Sequence, residues 1–142
     1  MDDVELWAVE IRGRGEARAA LRQMLGDVEV VDGPGGKPFA PGGPHFNVSH
    51  SDGLALIAIS RAREVGVDVE RVRPVPRAPA IARRVVDPDE ARAVEEARAE
   101  DRDLLFHRLW VAHEARVKLG AEAAEVRALE MPDGYVGAVA LA

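Results

Sequence analysis

The segment Gly66-Val67-Asp68-Val69-Glu70 constrains the fold more than any other stretch of this chain. Valines alternate with acids, and a period of two is the mark of a strand with unlike faces. Asp68 and Glu70 therefore share one face and set two carboxylates side by side. Further along, Trp110, Glu114 and Lys118 recur at i, i+4 and i+8. On a helix that spacing makes one stripe, with an acid and an amine a turn apart. The stripe can supply a third carboxylate and a cation.

Two adjacent carboxylates repel, and a cation offsets that repulsion. Mg²⁺ suits them best, because it takes oxygen ligands and keeps water and substrate phosphates in its shell. The rival reading is a strand end with hydrated acids and a helix carrying an ordinary Glu-to-Lys pair, each worth a fraction of a kcal/mol.

The rest of the chain reads as α+β. Val4 to Ile11 is expected as a strand, Glu16 to Leu25 as a helix stopped by Gly26, and Val28 to Val31 as a short strand. Asp32 to Pro44, dense in Gly and Pro, reads as loop. Phe46 to Ser49 and Leu54 to Ser60 form strands around Ser51-Asp52-Gly53, and Val65 to Glu70 completes a sheet. Asp87-Pro88-Asp89-Glu90 starts a charged helix to about Glu100, and Asp103 to Leu119 forms the motif helix, ended by Gly120. Val126 to Met131 and Tyr135 to Leu141 form a hairpin through Pro132-Asp133-Gly134. The order suggests two similar halves, roughly 1–72 and 73–142 of one domain, with a ligand cleft between them.

At 142 residues, 47% hydrophobic and 31% charged, the chain has the make-up of one globular domain with a real core. It has no cysteine, which excludes disulfides and thiolate metal sites and fits a reducing compartment. No secretory signal or apolar run of membrane-spanning length is apparent, so a cytoplasmic location without membrane contact is expected. A net charge of -6 argues against nucleic acid and anionic lipid as partners. Within this acidic chain, Arg71 to Val86 carries Arg71, Arg73, Arg77, Arg83 and Arg84, no acid and three prolines. It reads either as a hydrated, proline-stiffened connector or as a docking surface for an acidic partner. Seventeen of the nineteen basic residues are Arg; the two lysines are Lys37 and Lys118. A compact ammonium does a different job from a planar guanidinium, which points to phosphate at both lysines.

Three familiar motifs fail. Gly33-Pro34-Gly35-Gly36-Lys37 is not a P-loop, because Pro38 follows the lysine and Val31 takes the first glycine position. In Ser49-His50-Ser51-Asp52 neighbouring side chains of a strand point to opposite faces, so no hydrolase triad forms. His113-Glu114 lacks the second histidine of a zinc-protease helix, where Val117 stands.

Four elements, in order, resemble the 4'-phosphopantetheinyl transferases of the Sfp type: Gly36-Lys37-Pro38, Phe46-Asn47-Val48-Ser49-His50-Ser51, Gly66 to Glu70, and Trp110-Val111-Ala112-His113-Glu114-Ala115-Arg116-Val117-Lys118. The resemblance implies the transferase-like fold of two small pseudo-symmetric α/β halves, each with a short antiparallel sheet and a packed helix. It implies coenzyme A as donor, the serine of an acyl or peptidyl carrier protein as acceptor, and Mg²⁺ held by Asp68, Glu70 and Glu114. Glu114, or water on the metal, would take the serine proton, and Lys118 would meet a pyrophosphate oxygen. Lys37 and His50 would contact the nucleotide phosphates, Pro38 and Ser49 would line the same wall, and Arg22 would reach the 3'-phosphate. The carrier, itself acidic, would dock near Arg71 to Arg84. His113 stands where the family usually has lysine, and the chain is short for the type. A carrier-binding or nucleotide-binding module without turnover, and a small Mg²⁺-dependent phosphoryl hydrolase, remain open as alternatives.

Overall fold

A computed structural model of the chain describes residues 3–142. The first half runs β1 (Glu5–Glu10), α1 (Arg14–Leu25), β2 (Val31–Asp32), a 3-10 turn (Pro34–Gly36), β3 (Pro38–Phe39), β4 (His45–Ser51) and β5 (Leu54–Ser60). The second runs β6 (Val65–Arg71), α2 (Ala78–Val85), α3 (Pro88–Glu96), α4 (Ala99–Leu119), β7 (Glu125–Leu129) and β8 (Tyr135–Leu141). β4 and β5 are joined by Asp52-Gly53, both at positive φ (41° and 81°), the backbone of a tight hairpin turn.

The main sheets are antiparallel and ordered β1-β5-β4 and β6-β8-β7. In each half the last strand lies between the first and the second, and a helical segment separates those first two. This repeated order is the pseudo-symmetry expected from the sequence. The apolar residues sort into layers accordingly. Leu54, Leu56 and Ala58 of β5 meet Val65, Val67 and Val69 of β6 and Val139 and Leu141 of β8 in one core between the sheets. Leu21 of α1 covers the outer side of the first sheet with Phe46 and Ile57, and Val111, Ala115 and Leu119 of α4 cover the second with Ala138 and Ala140. A fourth cluster, Ala78, Ala82, Ala91, Val94 and Phe106, binds α2 and α3 to α4.

The sheets meet where β4 runs beside β6, and side chains there replace a backbone ladder. Asn47 Oδ1 accepts from the Val67 amide (2.8 Å), Ser49 Oγ from Val69 (3.2 Å) and Ser51 Oγ from Arg71 (3.1 Å). Alternate residues of one strand thus satisfy alternate amides of the other, so the backbone donors at the seam have partners. On its other side β6 lies almost against α4. A Cβ added to Gly66 would sit 2.3 Å from the Ala115 carbonyl oxygen and 2.5 Å from the Leu119 nitrogen, both backbone atoms. Only glycine permits that approach.

Four expectations need correction. β6 belongs to the second sheet, so the halves divide before Val65, not near residue 72. The stretch 71–86 is not simply a connector: Pro79 stands in the first turn of α2, where a missing N–H is harmless. The helix expected from residue 87 to about 100 ends at Glu96, because Ala97 and Arg98 are extended (ψ 148° at both) and α4 begins at Ala99. The Arg102 guanidinium donates to the Val94, Glu95 and Ala97 carbonyls and satisfies the broken end of α3. Finally, the loop 32–44 holds the small β2–β3 ladder.

Candidate functional site

Val65, Val67 and Val69 are buried in the core between the sheets, and Gly66 lies beneath α4. Strand alternation then turns Asp68 and Glu70 toward the helix. Asp68 is the centre of the arrangement. Its carboxylate is 7% exposed, and its Oδ1 receives the Lys118 ammonium at 3.2 Å and the Ser49 hydroxyl at 3.1 Å. Its Oδ2 is buried with no hydrogen-bond partner. Burial raises the Asp68 pKa to about 6, against the pull of Lys118 and Ser49 and with a push from Glu70. A buried acid with one oxygen unmet is an incomplete site. Glu70, half-buried, accepts from Ser51 at 3.5 Å.

Helix spacing places Glu114 one turn before Lys118. Glu114 is half-buried, and no hydrogen bond or ion pair holds its carboxylate among the described residues. As the side chains stand, no three acidic, histidine or cysteine groups among the described residues gather closely enough to hold a metal ion. The Lys118 ammonium is the charge that balances Asp68. A fit to Mg²⁺ rests on donor chemistry: Asp68, Glu70 and Glu114 offer only carboxylate oxygens, and the unpartnered Oδ2 has lone pairs to give. Glu70 and Glu114 have long, partly exposed side chains that keep rotamer freedom.

Lys37 approaches from the first half. Its ammonium donates to the Lys118 carbonyl at 2.7 Å, and lies 3.3 Å from that of Val65 and 3.5 Å from that of Leu119. Burial lowers its pKa, partly countered by Glu64. It borders a cleft of about 670 Å³ with Pro38, Phe39, His45, Glu64 and Leu119. Ser49 lies inside the seam, 5% exposed, and not on that wall. His50 and Arg22 are exposed, and no hydrogen bond or ion pair joins either side chain to the Asp68 cluster among the described residues. His113 packs beside Trp110, ring centroids 6.2 Å apart. Trp110 also stacks on Phe106 at 6.1 Å and, with Val75, Ile81, Arg73 and His107, lines a pocket of about 240 Å³ that reaches Glu70.

Sequence reasoning found the acids and Lys118 but missed the work of Asn47 and Ser51. The signal was present, since Asn47, Ser49 and Ser51 are polar at alternate positions of a strand. No helix of the described residues is long and apolar enough to cross a membrane.

Residues 64–131 match the family model described as the 4'-phosphopantetheinyl transferase superfamily. The 4'-phosphopantetheinyl transferase HetI of Nostoc is 35% identical over 115 residues, 75% of this chain and 48% of its own length. The 4'-phosphopantetheinyl transferase AcpT of Salmonella typhimurium is 38% identical over 104 residues, 71% of this chain and 54% of its own. A Synechocystis protein provisionally given the same transferase name is 39% identical over 113 residues, 71% of this chain and 46% of its own. The chain thus spans about half the length of the curated relatives it matches.

Proposed function

This chain belongs to the 4'-phosphopantetheinyl transferase superfamily, and from that premise we propose that it moves the 4'-phosphopantetheine group of coenzyme A onto a serine of an acyl or peptidyl carrier protein. The serine oxygen forms a bond to the phosphorus of the phosphopantetheine phosphate, the bond from that phosphorus to the oxygen of 3',5'-ADP breaks, and the serine proton passes to a base. The observation that supports this most is Asp68, a buried carboxylate with one oxygen unmet on the strand face that α4 covers. Its free oxygen can take a cation or a donor group of the substrate.

Phosphoryl transfer asks the protein chiefly to position two oxygens and to neutralise charge. Glu114 is the base in this reading, because among the described residues no donor holds its carboxylate. Lys118 keeps a third of its side chain exposed while it rests on Asp68, so one ammonium can meet both that acid and a pyrophosphate oxygen. Asp68, Glu70 and Glu114 are the residues that would hold Mg²⁺, which when bound neutralises the diphosphate. His113, beside Trp110, offers a further donor to phosphate. In this reading His50 and Arg22, both exposed, would reach nucleotide phosphates. The exposed Arg73, Arg77 and Arg84 give an acidic carrier a complementary surface beside the pocket that reaches Glu70.

Incubation with an apo-carrier protein, coenzyme A and Mg²⁺ tests the reading by intact mass. One phosphopantetheine gained, and lost when the metal is chelated, is the expected result. A second reading, a carrier-binding module without turnover, draws on the Lys118 pairing that already balances Asp68. It predicts carrier binding with no gain in mass.

A further inference from the structure

We propose that Lys37 is a positioning residue: it fixes the last turn of α4 from the opposite half of the molecule, and so sets where Lys118 stands against Asp68. The inference rests on the transferase reading for its consequence in catalysis, but its structural part stands alone.

The last carbonyls of a helix have no partner within it. Gly120, at φ 72° and ψ 9°, ends α4 and returns its own amide to the Val117 oxygen at 3.2 Å. Of the terminal carbonyls that remain, Lys37 meets those of Lys118 and Leu119, with the Val65 carbonyl of β6 as third acceptor. A cation at this end also faces the negative pole of the helix. The contact joins residues 81 positions apart. It therefore ties the loop before β3 to the helix that carries Lys118.

The choice of lysine follows from shape. Three carbonyls converge on one nitrogen, which a tetrahedral ammonium with three donors can satisfy. A planar guanidinium spreads its donors across a wider fork and cannot collect them at one point. This chain spells its other basic positions, apart from Lys118, as arginine. The two lysines then form one relay, in which the Lys37 ammonium holds the backbone of Lys118 and the Lys118 ammonium rests on Asp68. Lys37 keeps to protein carbonyls, so a role in grasping phosphate is not needed to explain it.

The experiment compares wild type with Lys37→Met, Lys37→Arg and, in case the methionine variant folds poorly, Lys37→Gln. Amide hydrogen exchange of residues 117–120 is read in the free protein, coenzyme A affinity by calorimetry, and kcat and KM by the mass-shift assay. Exchange at the end of α4 is expected to rise by about tenfold or more in all three variants. Coenzyme A affinity and KM should move less than about threefold while kcat falls, and arginine should not rescue it. Unchanged exchange overturns the proposal, as does a large loss of coenzyme A affinity without local loosening, which would make Lys37 a phosphate contact. Rescue by arginine overturns the shape argument. Wild type that shows no transfer would refute the transferase reading and leave the exchange result to judge Lys37 by itself.

Discussion

Two of the polar contacts that join the halves of the molecule use opposite chemistry. Along β4 and β6 the joint is neutral and inward: Asn47, Ser49 and Ser51 accept backbone amides, and Ser49 is buried. Around Arg63 the joint is ionic and outward. Arg63 pairs with Asp3 at 3.1 Å and Glu125 at 2.6 Å, and Arg127 pairs with Glu125 at 2.9 Å. The hydrogen bond at Ser49 is shielded from water, whereas ion pairs at the second joint are screened by salt. The proposed site lies on the first joint. The lesson is that a site needing fixed distances sits where neutral side chains hold the backbone, while charges tie the periphery.

The contrast breaks most sharply at Ser49. Ser49→Ala strips a partner from the Val69 amide and from Asp68 together, both buried. We expect a loss of about 2–3 kcal/mol in denaturant unfolding. A loss as small as a surface substitution would show that the seam does not depend on its hydroxyl.

Asp68 sharpens the contrast through pH. Its folded pKa, about 6, exceeds the ordinary 3.8, so the folded state binds more protons than the unfolded between those values. Stability should therefore fall as pH rises from about 4 through 6, by on the order of 1–2 kcal/mol, and level off above. Asp68→Asn should flatten that slope. Thermal unfolding across this range reads the result, and a slope unchanged in the variant contradicts the assignment. Glu125 behaves in the opposite sense: the Arg127 and Arg63 hydrogen bonds hold its pKa down to about 2, so its contribution is full above the usual glutamate range and is lost progressively as pH falls from there through about 2.

Arg63→Ala should have the smallest effect, below that of Ser49→Ala, and it should shrink further as salt is added. Urea unfolding at low and high ionic strength checks both points. A salt-independent loss would mean that the ionic joint is buried in effect and that the two joints do not differ in kind.

Much of this was legible in the chain. Leu54–Ser60 and Tyr135–Leu141 are strands to the residue, because unbroken apolar runs between turn signals leave little choice. Period two placed Asp68 and Glu70 on one face, and Gly120 stopped the motif helix. What stayed hidden has local causes. α2 was masked by prolines whose effect depends on position, and the α3–α4 break by Ala97 and Arg98, which carry no breaker signal. The seam was hidden because side chains standing in for a ladder follow no periodicity of apolar residues. Lys37 pointed to phosphate by type, yet its acceptors are backbone carbonyls, which a sequence cannot assign.

The central claim is that Asp68, Glu70 and Glu114 serve one divalent cation beside a diphosphate. Calorimetric titration of Mg²⁺ into the protein with coenzyme A present tests it without any turnover, comparing wild type with Asp68→Asn and Glu114→Gln. The account predicts saturable binding in wild type, weakened about tenfold or more in each variant. Equal affinity in all three, or no binding in any, would contradict it.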